Sequence, residues 1–506
     1  MTTQCWPVVA IIDEYILPTT QPSGQHPHQS IRMARGERRA ISFCVHDKKP
    51  LERLAVRGEW VSVSDDSIIY TDDNVMPRID IHHVARWWRT RKPLWGRPPW
   101  IIPDLLVKDP MFVVAGEDEW DNQFATNYYD APTLQPVDLP ADHTHQYWID
   151  IEVPTDCEAE KFRFKLTLTA NGRESEIVLV DIEVLPFTLP EPSLDYGVYY
   201  RGQLLPGEMP QLSSETKTDL QYRQDLRNMK VHGIKHPSLY TRSIDNPLAA
   251  DDAIRAIKVR REEGVCRDPL LWISLVASGP WWDNPLPRIL ALSKAISGIR
   301  CNIKDIYAYG SDECNGPAVT LQSEWWPVVQ ALGMKVQAAA HDIQLFYEST
   351  VGAGKGQADL VNINDDPDTI DPQWVRKFQE AGARVWYYTA TSPETPATFR
   401  KRFGLQAMSL GFDGCMPYAY QHGRENIWTE QDGDDRPDIC FAYPAWTGPI
   451  NTMAFEGFSA GVMDVRYATL LKSLGGPMPP HTGNLDLMRE SMQDEILHRL
   501  YFETHN

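Results

Sequence analysis

Apolar and polar residues alternate with a period of two through the first part of the chain. Residues 39–45, 147–153, 162–169 and 176–184 each place their apolar side chains on one face, as half-buried strands do. Between the last two lies Ala170-Asn171-Gly172-Arg173, and Asn-Gly favours the tight turn of a hairpin. Strands at this spacing, with no helical period among them, predict a β-sandwich over residues 1–190. Pro186, Pro190 and Pro192 then punctuate the chain like a linker.

Beyond residue 194 short apolar runs alternate with amphipathic ones. Strands are expected at 195–204, 233–241, 270–277, 305–311, 335–341, 358–364, 384–391 and 411–418. Helical periodicity fills 214–230, 248–264, 285–299, 320–333, 342–352, 372–382 and 394–403, and returns at 456–474. Eight strand–helix units predict a (β/α)8 barrel of the TIM type, whose usual size is about 250 residues. The predicted fold class is therefore multidomain, β plus α/β: an N-terminal β-sandwich at 1–190, then a barrel at 191–506 that includes a C-terminal helix. The amphipathic run at 483–503 is expected to pack on the barrel. Neither GxGxxG nor GxxxxGK[ST] appears at a strand end, which removes the nucleotide-binding readings.

Composition narrows the function. A 42% hydrophobic and 10% aromatic content supports packed cores. The balance of 49 Lys and Arg against 69 Asp and Glu gives a net charge of -20, which repels nucleic acid and anionic membranes. No run approaches the roughly 18 apolar residues of a membrane-spanning helix. The first residues carry no basic segment followed by a long apolar core, so no signal peptide is read, and the expected location is the cytoplasm, with a secreted protein whose leader has been trimmed as the alternative. The eight cysteines form no CxxC pair, so reduced, buried thiols are expected. The sandwich leaves room for pairing of subunits.

In a barrel of this kind the chemistry lies at the C-terminal ends of the strands. Those ends carry Tyr200 and Arg201; His236; Trp281, Trp282 and Asp283; Asp312 and Glu313; His341 and Asp342; Asn364, Asp365 and Asp366; Trp386, Tyr387 and Tyr388; and Tyr418 and Tyr420. Acids, amides and aromatics around one mouth suit a sugar, whose ring faces stack on aromatic planes while its hydroxyls need donors and acceptors. Asp312-Glu313 is the sharpest feature. Repulsion between adjacent carboxylates, with partial burial, keeps one of them protonated near neutral pH, ready to protonate a glycosidic oxygen. Metal ligation by His341-Asp342 or Asp365-Asp366 is weighed and set aside, because the histidines do not cluster and no HExxH or EF-hand loop occurs. Neither a metal nor any other cofactor is expected.

Several short segments, in order, resemble glycoside hydrolase family 123 and the related DUF4091-type proteins. They are Ala34-Arg35-Gly36-Glu37, Pro103-Asp104-Leu105-Leu106, 147–154, Asp312-Glu313, Gly411-Phe412-Asp413-Gly414, Tyr443-Pro444, and Glu456-Gly457-Phe458-Ser459-Ala460-Gly461 leading to Asp464-Val465-Arg466-Tyr467. The resemblance spans nearly the whole chain. It implies an N-terminal β-sandwich joined to a (β/α)8 barrel and an exo-acting, retaining β-N-acetylgalactosaminidase using substrate-assisted catalysis. It would make Glu313 the general acid/base and Asp312 the residue that orients the 2-acetamido group. A tyrosine would donate to the acetamido oxygen, with Tyr387, Tyr388 and Tyr418 as candidates. The substrate would be an oligosaccharide or glycoconjugate. The chain departs from the family pattern at Cys314-Asn315-Gly316-Pro317, where a proline is expected directly after the acidic pair. It departs again at Cys415-Met416-Pro417-Tyr418-Ala419-Tyr420, where a Trp-rich segment is usual. The alternatives are a glycosidase for another sugar, with Asp365 or Asp283 as base or nucleophile, and a non-catalytic carbohydrate-binding protein on the same fold.

Overall fold

The structure, a computed structural model, describes residues 3–11, 13–24, 26–69, 76–89, 100–118, 121–204, 209–241, 248–265, 270–274, 302–310, 312–313, 317–390, 395–423, 426–429, 440–480 and 482–503. The chain forms two compact units. One comprises Met1–Pro192, Glu394–Gly404 and Ile450–Asn506, the other Ser193–Pro393 and Leu405–Pro449.

The first unit is built on two five-stranded sheets. One runs, in spatial order, Gln4–Val8, Arg38–Asp47, His143–Glu152, Arg78–Arg89 and Trp100–Val107, all antiparallel. The other runs His28–Arg35, Arg173–Thr188, Lys161–Ala170, Leu51–Val61 and Val137–Leu139; its first pair is parallel and the rest antiparallel. Burial in Lys161–Ala170 follows the sequence alternation residue by residue, with Phe162, Phe164, Leu166, Leu168 and Ala170 inside. These residues share one hydrophobic cluster with Phe43, Val45, Tyr147, Ile149 and Ile151 of the other sheet. The hairpin turn forms as read, with Asn171 and Gly172 both at positive φ (52° and 72°).

The helices Met453–Ser473 and Leu485–Glu503 also belong to this unit, whereas a division at 190/191 assigned them to the barrel. So does the helix Pro396–Lys401. Ionic partners far apart in sequence account for the difference. Asp464 is fully buried and accepts from Arg400 Nε and Arg489 Nε, both at 2.7 Å. Arg489 also reaches Glu37 at 3.2 Å, and Tyr467 donates to Glu37. Arg38 binds both oxygens of Glu456 and approaches Asp150 at 2.9 Å. Hydrophobic periodicity encodes none of these pairings.

The helix Met453–Ser473 is buried nearly all round, as a helix enclosed by its neighbours must be. Its Gly457 allows the closest approach: a Cβ there would lie 2.0 Å from the Pro396 carbonyl oxygen. Gly457→Ala is therefore expected to destabilise the protein by about 1–3 kcal/mol through overpacking. A lower urea midpoint at unchanged m-value would show it.

The second unit is built on parallel strands. Asp195–Val198 pairs with His236–Pro237 on one side and Gly414–Cys415 on the other. Leu239–Thr241 pairs with Leu270–Ser274, followed by Ile306–Tyr309, Lys335–Ala340, Leu360–Asn364, Arg384–Tyr388 and Gly414–Cys415. Between the strands lie the helices Asp219–Val231, Leu248–Glu262, Pro317–Ala331, Ile343–Ser349 and Pro372–Glu380. Thr218, Asp342 and Asp371 cap three of them through side-chain oxygens, as the sequence at those starts favours. The expected helix at 285–299 lies outside the described residues. One face of the strands carries an aromatic cluster of Tyr199, Tyr240, Tyr307, Tyr309, Trp386 and Tyr388. Among the described residues no helix is long and apolar enough to cross a membrane.

Candidate active site

Four neighbouring parallel strands bring their C-terminal ends to one place. Ile306–Tyr309 leads through Tyr309 to Asp312 and Glu313, Lys335–Ala340 leads to His341, and Leu360–Asn364 and Arg384–Tyr388 end on Asn364 and Tyr388. Glu313 adopts the left-handed backbone region (φ 47°), a conformation that a non-glycine residue holds only when its surroundings enforce it.

Glu313 is held from three directions. Its Oε1 accepts from Asn364 Nδ2 at 2.6 Å and from the Tyr388 hydroxyl, and its Oε2 lies 2.6 Å from His341 Nε2. The other ring nitrogen of His341, Nδ1, lies 3.3 Å from the Asn364 carbonyl oxygen. A carboxylate and a carbonyl both accept, so His341 meets an acceptor at each ring nitrogen, the closer being Glu313. At 2.6 Å one proton lies between Nε2 and Oε2. His341 is half exposed and Glu313 about a quarter exposed, so solvent can exchange that proton. The arrangement can deliver one proton to a bound group and recover it.

Asp312 is exposed and accepts from the Tyr309 hydroxyl. Burial, then the neighbouring Tyr199 and Asp312, push the Tyr309 hydroxyl well above its ordinary pKa; burial, Tyr199 and both acids do the same for Tyr388. Both phenols therefore stay protonated and act as donors to the carboxylates. Tyr199 packs against Tyr309, Tyr388 and Tyr418 with ring centres 5.4–6.2 Å apart. Its hydroxyl accepts from Asn362 at 3.1 Å.

The other residues singled out from sequence are dispersed. Arg201 pairs with Glu215, lies 5.4 Å from the Tyr240 ring centre, and donates to the Tyr418 hydroxyl at 3.3 Å; that hydroxyl is 2.7 Å from His422 Nδ1. Tyr200 turns away and donates to Asp225 at 2.9 Å among Tyr222 and Tyr420. Tyr387 packs on Phe412, on the face opposite Trp386 and Tyr388, because side chains alternate along a strand. Trp386 is fully buried against Gly197 and Gly414.

His236 begins its strand rather than ending it. It lies 3.6 Å from Asp195, which also pairs with Arg384; both partners are likewise first residues of their strands. Burial opposes ionisation of Asp195, but hydrogen bonds from His236 and Arg384 prevail and lower its pKa to about 2. Strand direction therefore places this group at the end opposite Glu313. Asp365 turns one carboxylate oxygen to the Asp366 amide at 2.8 Å, a local turn. Trp281, Trp282 and Asp283 lie outside the described residues. Sequence reasoning missed the role of His341, which it weighed only as a metal ligand; its position directly after an expected strand was the available signal. Among the described residues no group of three or more His, Cys, Asp or Glu is arranged to hold a metal ion.

No protein-family model matches the chain, and no curated protein matches it in sequence. Among solved structures, a family 123 glycoside hydrolase from Clostridium perfringens, studied for glycolipid glycan hydrolysis, matches with a TM-score of 0.68 at 12% identity. The match covers 100% of this chain and 98% of that one. The chain resembles family 123 glycoside hydrolases. At that identity the family 123 likeness establishes the fold alone. A Bacteroides ovatus GH5 xyloglucanase aligns with a TM-score of 0.35 at 7% identity over 87% of this chain and 99% of its own. That likeness is too distant to add to the family 123 comparison.

Proposed function

We propose that the chain is a glycoside hydrolase: an exo-acting, retaining β-N-acetylgalactosaminidase in which the substrate's own acetamido group is the nucleophile. The observation that carries this is the Asp312-Glu313 pair at the end of a parallel strand, with Tyr309 on one acid and Asn364, Tyr388 and His341 on the other. In the first step Glu313, in its acid form, gives its proton to the glycosidic oxygen. The bond from C1 to that oxygen breaks while the acetamido oxygen bonds to C1. Asp312 holds the acetamido N–H and stabilises the positive charge that develops on the resulting oxazolinium ring. In the second step a water attacks C1 and loses a proton to the Glu313 carboxylate, and the bond to the acetamido oxygen breaks. The configuration at C1 is retained and the acid is regenerated. Tyr418 is the favoured donor to the acetamido oxygen, exchanging its contact with His422 for this bond, since Tyr387 faces the other way and Tyr388 holds the catalytic Glu313. Asn364 has a positioning role, and Arg201 lies beside Tyr418 for contact with the sugar.

The same reading assigns a (β/α)8 barrel to the second unit and a β-sandwich to the first. The first and last strands in the order of the parallel sheet, His236–Pro237 and Leu239–Thr241, flank Ser238 in one segment, which supports closure of the ring. The common core of the two five-stranded sheets supports the sandwich. The substrate is taken to be the non-reducing end of an oligosaccharide or glycoconjugate, hydrolysed without a cofactor.

Hydrolysis of 4-nitrophenyl β-GalNAc beside the β-GlcNAc, β-Gal and β-Glc analogues tests this. Activity is expected only on 2-acetamido sugars, and Asp312→Asn is expected to lower it by about 10²–10³-fold. Hydrolysis of β-Gal or β-Glc, or full activity in Asp312→Asn, would overturn acetamido assistance and turn attention to a second carboxylate.

A further inference from the structure

The first unit contains a cavity of about 220 Å³ for which the catalytic reading has no use. Its lining is mixed: Val8, Ile11 and Ile31 are apolar, and Arg39, Glu456, Ser459 and Asp486 are polar. Two of the polar lining groups lack adequate partners. Ser459 is 2% exposed and its hydroxyl has no hydrogen-bond partner among the described residues. The Arg39 guanidinium is 15% exposed, yet its contacts are long: 3.4 Å to the Arg32 carbonyl and 3.9 Å to Asp486, whose carboxylate sits 2.6 Å from Arg400. The neighbouring Arg38, Arg400 and Arg489, by contrast, each hold carboxylates at close range. A largely buried guanidinium and a buried hydroxyl without good acceptors are costly, and an acceptor-bearing molecule in the cavity would remove that cost.

The charges select the kind of molecule. Arg38, Arg39, Arg400 and Arg489 line the cavity with Glu456 and Asp486, and behind them Asp150, Asp464 and Glu37 pair with Arg38, Arg400 and Arg489, so the guanidiniums are already matched by carboxylates and an anion finds no excess of positive charge. Burial pushes the Asp150 pKa up to about 7 against the pull of Arg38, with Glu456 adding to the rise, so the local balance is near neutral. A polyhydroxylated ring meets every requirement. Its oxygens accept from Arg39 and Ser459, its hydroxyls donate to Glu456 and Asp486, and its C–H groups pack on the apolar lining residues. The volume is below the roughly 300–1,000 Å³ of pockets for drug-sized ligands, which limits the occupant to a single ring. We propose that this cavity is a sugar-binding site of the first unit that takes one neutral monosaccharide ring.

Saturation-transfer NMR on the full chain tests this, with methyl β-galactoside, N-acetylgalactosamine, methyl α-mannoside, glycerol and acetate as probes. At least one sugar is expected to show binding that weakens about ten-fold in Arg39→Gln, the loss of charge-assisted hydrogen bonds. Ser459→Ala is expected to weaken the same binding about three-fold, and Glu313→Gln to leave that component unchanged. The proposal is overturned if all sugar signals are equal in Arg39→Gln and the parent, or if acetate alone shows Arg39 dependence. Should Arg39→Gln fail to fold, judged by circular dichroism, Ser459→Ala decides: unchanged sugar binding overturns the proposal.

Discussion

Glu313→Gln is expected to lower kcat/KM for a 2-acetamido glycoside by about 10²–10⁴-fold, the usual contribution of a positioned acid or base. The amide keeps the size of the side chain and can still bond to Asn364 and Tyr388, so binding should change little and the loss should fall on kcat. The loss should also depend on the leaving group. A 4-nitrophenolate leaves with little protonation, whereas an alkyl or sugar alkoxide needs the proton almost fully transferred. The variant should therefore lose more on a disaccharide than on the nitrophenyl glycoside, and steady-state kinetics on both substrates would measure the gap. Equal losses on the two, or activity within about ten-fold of the parent on both, would remove Glu313 from the acid role. His341 belongs to the same chemistry, since its Nε2 lies 2.6 Å from Oε2 of Glu313.

The largest loss of stability is expected at Asp464. This carboxylate is fully buried and accepts three N–H groups, from Arg400 Nε, Arg400 Nη2 and Arg489 Nε. Asp464→Ala leaves two buried guanidiniums with the remaining acids Asp486 and Glu37, whose contacts are 2.6 Å to Arg400 and 3.2 Å to Arg489. Breaking a buried pair from one side costs about 3–5 kcal/mol, because the desolvated charge remains. Urea unfolding followed by near-UV circular dichroism should show the shift in the transition of the first unit. A change below about 1 kcal/mol, the scale of an exposed ion pair, would mean that the network does not behave as buried.

Part of this architecture is local, and the local part was legible. A strand with one face in a core must alternate, so 162–169 and 176–184 announced both themselves and their turn; Asn171 and Gly172 adopt the positive φ that Asn-Gly favours. The succession of strands after residue 194 likewise followed from apolar runs separated by amphipathic ones, with cap residues where three of the helices begin. The conspicuous acidic pair fell at the end of a strand, where it was expected.

What the sequence by itself determined, then, is the order and type of elements and the single dipeptide of interest, because these depend on side-chain periodicity and turn chemistry within a few residues. Only the tertiary structure decided that His341, Asn364 and Tyr388 meet on Glu313, that Tyr387 faces away from it, and that His236 sits at the wrong end of its strand. Strand order, register and side-chain direction set those contacts, and none of them is a local property. The membership of the helices at 453–473 and 485–503 in the first unit belongs to the same class. It is secured by Arg38, Arg400 and Arg489 finding carboxylates far away in the chain, and a charge pattern does not reveal its partner until the chain has folded.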